Sequence, residues 1–292
     1  MELSLTTPRD FNFKRTAISH GWYQLLPFGL DRETWTLTRV LDIVEERPPV
    51  VVHISGAKGA LNINLSRRLD GRATEKVTRD VRHMLRLDDD MKEFYAALKD
   101  DPEFSWVMRE GAGRLLRSPT VFEDLVKTIC TTNCSWALTL KMVEGLVQHL
   151  GRASSDGSKS FPTARAMAEV PLSFYRDEVR AGYRAPYLHE LASRVADGSL
   201  DVEGWLKSAL PTTELQREMK RIKGVGDYAA ETMLKLIGRY DGLALDSWVR
   251  AKFARMHNKG RAASDQKIAR HYARFNTWRG LALWCDITRD WA

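Results

Sequence analysis

Two hydrophobic periodicities divide the chain. From about Phe11 to Leu65 the apolar residues alternate with polar ones or come in β-branched runs: Thr34-Trp35-Thr36-Leu37-Thr38, Val50-Val51-Val52-His53-Ile54 and Leu61-Asn62-Ile63-Asn64-Leu65. Turn signals separate these runs, so the pattern predicts an antiparallel sheet. Pro48-Pro49 and Ser55-Gly56 punctuate it, and Lys58-Gly59 marks a hairpin turn. Beyond Leu65 the spacing becomes helical. Phe122, Leu125 and Ile129 share one face, as do Val143, Val147 and Leu150, and later Met233, Leu234 and Ile237. The polar, glycine-containing stretch from Ser154 to Ser160 reads as a surface loop. The expected fold is α+β and mostly α, with a β-rich N-terminal subdomain over 1–88 and a helical body over 89–292. No internal repeat interrupts this division.

Composition narrows the partners. The chain has 292 residues, and 45 Lys and Arg against 38 Asp and Glu give a net charge of +7. With a pI near 9.3, the balance suits a polyanionic partner. No run approaches the roughly 18 apolar residues of a membrane span, so a membrane partner is not expected. The segment from Met1 to Arg15 lacks the apolar core of a signal peptide, and three cysteines support no disulfide framework. A cytoplasmic, nucleoid-associated location is therefore expected. Cys130 and Cys134 lie four apart, but no nearby His or further Cys completes a tetrahedral site, so no metal centre is expected. No nucleotide-binding fingerprint is present.

The stretch from Glu214 to Arg255 carries the most chemistry. Leu215, Met219 and Ile222 form a helical stripe interleaved with Arg217, Lys220 and Arg221; the turn Lys223-Gly224-Val225-Gly226 follows, and then a helix rich in small residues. This spacing predicts a helix-hairpin-helix over about 213–238. Its glycines let the backbone turn tightly, and the second helix offers free N–H groups and a positive dipole end to a phosphate. A lone Gly-x-Gly would equally be a plain interhelical turn. Twenty residues past Gly226, Asp246 precedes Ser-Trp-Val-Arg, a good N-cap position. A carboxylate fixed there is also suited to stabilising an oxocarbenium-like sugar while a base departs.

From Ile222 through Gly224-Val225-Gly226 to Ala230, with Leu245-Asp246-Ser247-Trp248-Val249-Arg250, the chain resembles the helix-hairpin-helix DNA glycosylase superfamily. Arg114 to Arg117, Ile129 to Asn133 and Gly182 to Tyr187 are similar to its 8-oxoguanine glycosylase branch. The β-rich start also suits the related bacterial alkylbase glycosylases. The resemblance implies base excision repair on double-stranded DNA by a monomer, with Lys223, Gly224, Val225 and Gly226 on the DNA backbone and Asp246 as the catalytic carboxylate.

Further roles follow from that resemblance. Such an enzyme rotates a nucleotide out of the duplex, and something must fill the gap. Asn133 stands where the family has its gap-filling residue, Tyr183 where it has the aromatic wedge, and Arg184 where a side chain could reach the opposite strand. The plain alternatives are a helix-capping Asn, a half-buried Tyr and a solvated Arg. Bifunctional members carry a Lys at the position of Tyr228, so a monofunctional enzyme is expected, with Asp246 supporting attack by water. The base-holding Cys and Gln of the 8-oxoguanine branch align with Thr232 and Leu283, which disfavours oxidised guanine. Trp22, Tyr23, Trp248, Trp278 and Trp284 are candidates to stack on an alkylated purine, although aromatic residues are more often core. Tyr228, Trp22 and Trp248 are the expected pocket residues. Deaminated or otherwise modified pyrimidines and oxidised purines stay open as substrates, as does a non-catalytic DNA-binding protein. The resemblance also allows a monovalent cation at the hairpin. The four closely spaced cysteines of iron–sulfur members are missing.

Overall fold

The structure, a computed structural model, describes residues 1–44 and 46–291. Five strands, β1 (Glu2–Thr6), β2 (Phe28–Asp31), β3 (Thr36–Leu41), β4 (Val50–Ala57) and β5 (Ala60–Leu65), form one antiparallel sheet in the order β1-β5-β4-β3-β2. The Lys58-Gly59 turn joins β4 to β5, with Ala57 opposite Ala60. Along β5, Leu61, Ile63 and Leu65 are buried while Asn62 and Asn64 are exposed, so one face is core and the other wet. β1 lies upstream of the stretch whose pattern predicted strands. It places Leu3 opposite Ile63 and Leu5 opposite Leu61, and its own alternation is only five residues long.

The remainder is helical, giving the α+β, mostly α architecture. The hydrophobic core falls into two clusters. One joins the inner face of the sheet to the helices Gly71–Met84, Val121–Thr131 and Trp136–Leu150 and continues to Leu236; the other joins Met91 to Leu115 with Tyr240 to Ile287. Packing thus runs across residue 88. The second cluster is completed only by the last fifty residues or so of the chain, which fold back on the segment after residue 90.

An ion cluster docks the sheet on the helix Val121–Thr131. Arg39 of β3 donates from Nη1 to Glu123 Oε1 at 2.8 Å and from Nη2 to Oε2 at 2.5 Å, and Lys127 Nζ lies 2.6 Å from Oε1. All three side chains are buried. The segment expected as a surface loop from Ser154 to Ser160 is tied down at both ends. Ala153 bridges Lys159, and Ser154 and Ser160 are themselves buried. Among the described residues no helix is long and apolar enough to cross a membrane.

Candidate active site

Two helices, Thr212–Met219 and Asp227–Leu236, flank the glycine turn. Leu215, Met219, Ile222 and Val225 are buried, and the Val225 N–H closes the turn on the Ile222 carbonyl at 3.0 Å. Gly224 has φ +88°, and a Cβ there would stand 2.8 Å from the Tyr187 ring. Only glycine fits both demands. Gly224→Ala should therefore cost more than about 1 kcal/mol of stability and weaken duplex binding, measured by denaturant titration and by anisotropy of labelled DNA. Unchanged values in both would show that the turn needs no glycine and makes no contact with the duplex. Gly226 caps the second helix without a side chain, and nothing lies within 4 Å of where its Cβ would be. The first-turn amides of that helix therefore have no side-chain cap. Lys223 is exposed on the same turn and reaches Glu190 at 2.7 Å.

Asp246 caps the helix Ser247–His257, accepting from the Val249 N–H at 2.7 Å. Just upstream, Ala244 has φ +50°, and its N–H donates to Glu231 Oε2 at 2.5 Å. A residue of the second hairpin helix thus pins the strained backbone that delivers Asp246. Asp246 opens into a cavity of about 780 Å³ lined from both hydrophobic clusters. Tyr228, Trp22 and Trp248, the expected pocket residues, all line it. Trp22 is fixed by its indole N–H, which donates to Asp124 Oδ1 at 2.7 Å. Burial pushes the Asp124 carboxyl up to about 6. The Trp248 ring lies among Trp284 and Trp291, with centroids 6.0 and 5.6 Å away.

Tyr228 sits in the first turn of the second hairpin helix. Burial, helped by the Asp246 carboxylate, raises its phenol above the usual range, while hydrogen bonds to Thr131 and Thr232 work the other way. It is a neutral hydroxyl at pH 7. Thr232, aligned with the family's base-holding Cys, also lines the cavity. Leu283 does not, being fully buried in the second core cluster. Trp278 is likewise corrected from stacking candidate to core. It stacks on Tyr240 at 5.3 Å and tilts against Phe94 at 5.4 Å.

The loop after the helix Val121–Thr131 exposes Asn133 in a left-handed conformation, φ +45°. Its Nδ2 lies 3.4 Å from the hydroxyl of Tyr183, which is 51% exposed. The two candidate gap-fillers, fifty residues apart in sequence, therefore share one surface. Arg184 departs from both readings offered for it. Its guanidinium is buried, donates to the Thr132 carbonyl and to Thr132 Oγ1, and packs on the Tyr183 ring at 4.5 Å. It braces the Asn133 loop from inside and has no free face for the opposite strand.

Sequence reasoning did not place Thr131, Trp136 or Trp291 on the cavity, whereas His20, read as a possible pocket edge, and Lys235, read as a lysine near the site, both line it. For Lys235 the signal is its spacing, seven residues after Tyr228, two turns along one helix face. Burial pushes the Cys130 and Cys285 thiols up to about 12, while the half-buried Cys134 lines the cavity and hydrogen-bonds to the Cys130 carbonyl. Among the described residues, His257, His271 and Asp286 are grouped closely enough to consider a metal ion. Asp286 Oδ2, however, is taken by His257 Nε2 at 2.7 Å and by the Tyr272 hydroxyl at 2.6 Å. These are hydrogen-bond lengths, and His257, Tyr272 and Asp286 form a network joining three C-terminal helices, while His271 Nε2 has no hydrogen-bond partner among the described residues.

No protein-family profile matches the chain. A probable N-glycosylase/DNA lyase of Methanothermobacter thermautotrophicus is 23% identical over 251 residues, 77% of each chain. Among solved structures, 3-methyladenine DNA glycosylase from Archaeoglobus fulgidus superposes with a TM-score of 0.75 at 20% identity, covering 100% of this chain and 99% of that one. The 8-oxoguanine glycosylase/lyase of Clostridium acetobutylicum, solved with double-stranded DNA, gives 0.72 at 19% identity over 99% and 98%. The fold is thus that of a DNA glycosylase with an N-terminal sheet and a helical body. More particularly, it is the fold shared by these two solved glycosylases, one titled for 3-methyladenine and the other for 8-oxoguanine.

Proposed function

We propose that the chain is a monofunctional DNA glycosylase, hydrolysing the N-glycosidic bond of a damaged base flipped out of duplex DNA. The observation that carries this reading is the position of Asp246, a fixed carboxylate at the rim of an aromatic-walled cavity that also adjoins the hairpin helix. A pocket of several hundred Å³ with a few convergent polar groups suits one small ligand. The hairpin amides would hold a phosphate, Asn133 and Tyr183 would occupy the vacated stack, and Trp22 and Trp248 would flank the base. Asp246 would then stabilise positive charge growing on the sugar and orient the attacking water. No step is placed on a metal. The monovalent cation allowed by the resemblance would sit on turn carbonyls beside the phosphate.

Tyr228 supports the absence of lyase chemistry, because a neutral phenol forms no Schiff base. Alkylated purines come first among substrates, on the strength of the aromatic walls; deaminated or modified pyrimidines and oxidised purines come second. The site is complete within one chain, consistent with action as a monomer on nucleoid DNA. Incubation with oligonucleotides carrying single modified bases, followed by alkali, should cut at one or a few of them. Borohydride added during the reaction should trap no covalent adduct. A strong adduct would overturn the monofunctional reading, and no cleavage anywhere in the panel would favour a DNA-binding protein without turnover.

A further inference from the structure

The cavity contains a cation that hydrolysis at the sugar leaves unused. Lys235 lines it, is only 4% exposed, and forms no ion pair among the described residues. Its Nζ donates to the Leu243 carbonyl at 2.8 Å and lies 5.5 Å from the Trp284 ring. An ammonium has three donors, so two remain to be directed elsewhere. An ammonium buried with so little support is costly, and burial pulls its pKa down to about 8. Glu231 on its own helix, Asp246 on the next and Cys285 on the last favour the charge, but none hydrogen-bonds to it. The Glu231 carboxylate is already engaged by the Ala244 N–H. His20, from the N-terminal region, feels the same ammonium across the cavity.

Depth along the helix separates the Lys235 backbone from the hairpin end. Tyr228 is in the first turn, beside the hairpin, and seven residues place Lys235 about 10 Å further along the axis at 1.5 Å per residue. Its ammonium still feels the Asp246 carboxylate, so a base held in the cavity would lie between the two groups.

Resting on the glycosylase reading above, we propose that Lys235 selects the substrate: it donates to a ring carbonyl or other acceptor on the edge of the base remote from the sugar. The site then favours bases that are neutral in the nucleotide and present such an acceptor, among them deaminated purines and neutral alkylated ones. Bases with a fixed positive charge, such as N3- or N7-alkylated purines, meet a like charge in the cavity, which narrows the alkylated purines placed first above to the neutral ones. The aromatic walls hold either kind by stacking, and Lys235 decides between them.

The test compares single-turnover release of hypoxanthine, which is neutral with a carbonyl, and of 7-methylguanine, which is fixed as a cation, by the wild type and by Lys235→Met. Hypoxanthine release should fall at least tenfold in the variant while 7-methylguanine release holds or rises. In the wild type, hypoxanthine release should decline as pH rises through about 8, whereas in the variant that decline should vanish. Binding to duplex carrying a reduced abasic site reports whether the variant is folded. Equal losses on both bases, or a wild-type profile flat across that range, would overturn the selection role while leaving the glycosylase reading intact. Release of neither base by a wild type that is active on other lesions would overturn it too. Inactivity of the wild type on the whole panel would instead bring down the glycosylase reading and this proposal with it.

Discussion

Asp246→Asn should lower base release by at least two to three orders of magnitude, roughly the loss seen when one preorganised electrostatic group is removed from a transition state. Affinity for lesion-containing duplex should hold or rise. The asymmetry follows from geometry. Asn can still accept the Val249 N–H bond that Asp246 makes at 2.7 Å, so the helix keeps its cap and the cavity rim its shape. What is lost is one negative charge. That charge attracts an oxocarbenium-like sugar but repels the flanking phosphates, so its removal damages only the chemistry. Alkali-revealed cleavage under single-turnover conditions and anisotropy on uncleavable duplex read the two effects separately. A variant retaining a tenth or more of wild-type activity would leave Asp246 as a cap only.

The hairpin and this aspartate could be read from sequence because their signals are local. Glycine at a positive φ, a capping Asp and a helical stripe each concern a handful of neighbouring residues. Strand alternation was legible for the same reason wherever it ran long enough, and β1 was missed because its five residues precede any turn signal. The walls of the cavity were less legible. Trp22, Trp248 and Trp278 carry the same signal in sequence, yet two line the cavity and the third is core against Tyr240, a difference decided by how two hydrophobic clusters meet. Arg184 shows the same limit for charge. A loop Arg reads as solvated, but the Asn133 loop approaches it from fifty residues away and offers the Thr132 carbonyl and hydroxyl, which hold it inward. Lys235 was visible as a lysine, whereas its burial and its single hydrogen bond belong to the tertiary structure.

Glu123→Ala should destabilise the protein by about 3–5 kcal/mol, the range for removing one partner of a buried charge cluster. Arg39 and Lys127 would then face each other inside the core, next to the Phe28 ring that both cations approach, with no anion between them. Acid tests the same cluster without a mutation. Burial works to raise the Glu123 carboxyl, but Arg39 and Lys127 outweigh it and hold it below its ordinary value. A carboxyl depressed in the folded state contributes stability above its unfolded pKa and loses it as pH falls through the folded one. Unfolding free energy from denaturant titration should therefore drop in acid for the wild type, more steeply than for a triple variant with Leu at 39, 123 and 127. That variant should recover most of the stability lost by Glu123→Ala, because apolar residues can replace a buried ion cluster at little cost. A single-variant loss under about 1 kcal/mol would mean that water reaches the cluster, and that the sheet is docked by apolar packing alone. The consequence extends to the site. Glu123 shares its helix with Asp124, which fixes Trp22 in the cavity wall, and that helix runs directly into the Asn133 loop. Loosening the ion cluster should thus lower activity before the protein unfolds, through the positions of Trp22 and Asn133 rather than through Asp246.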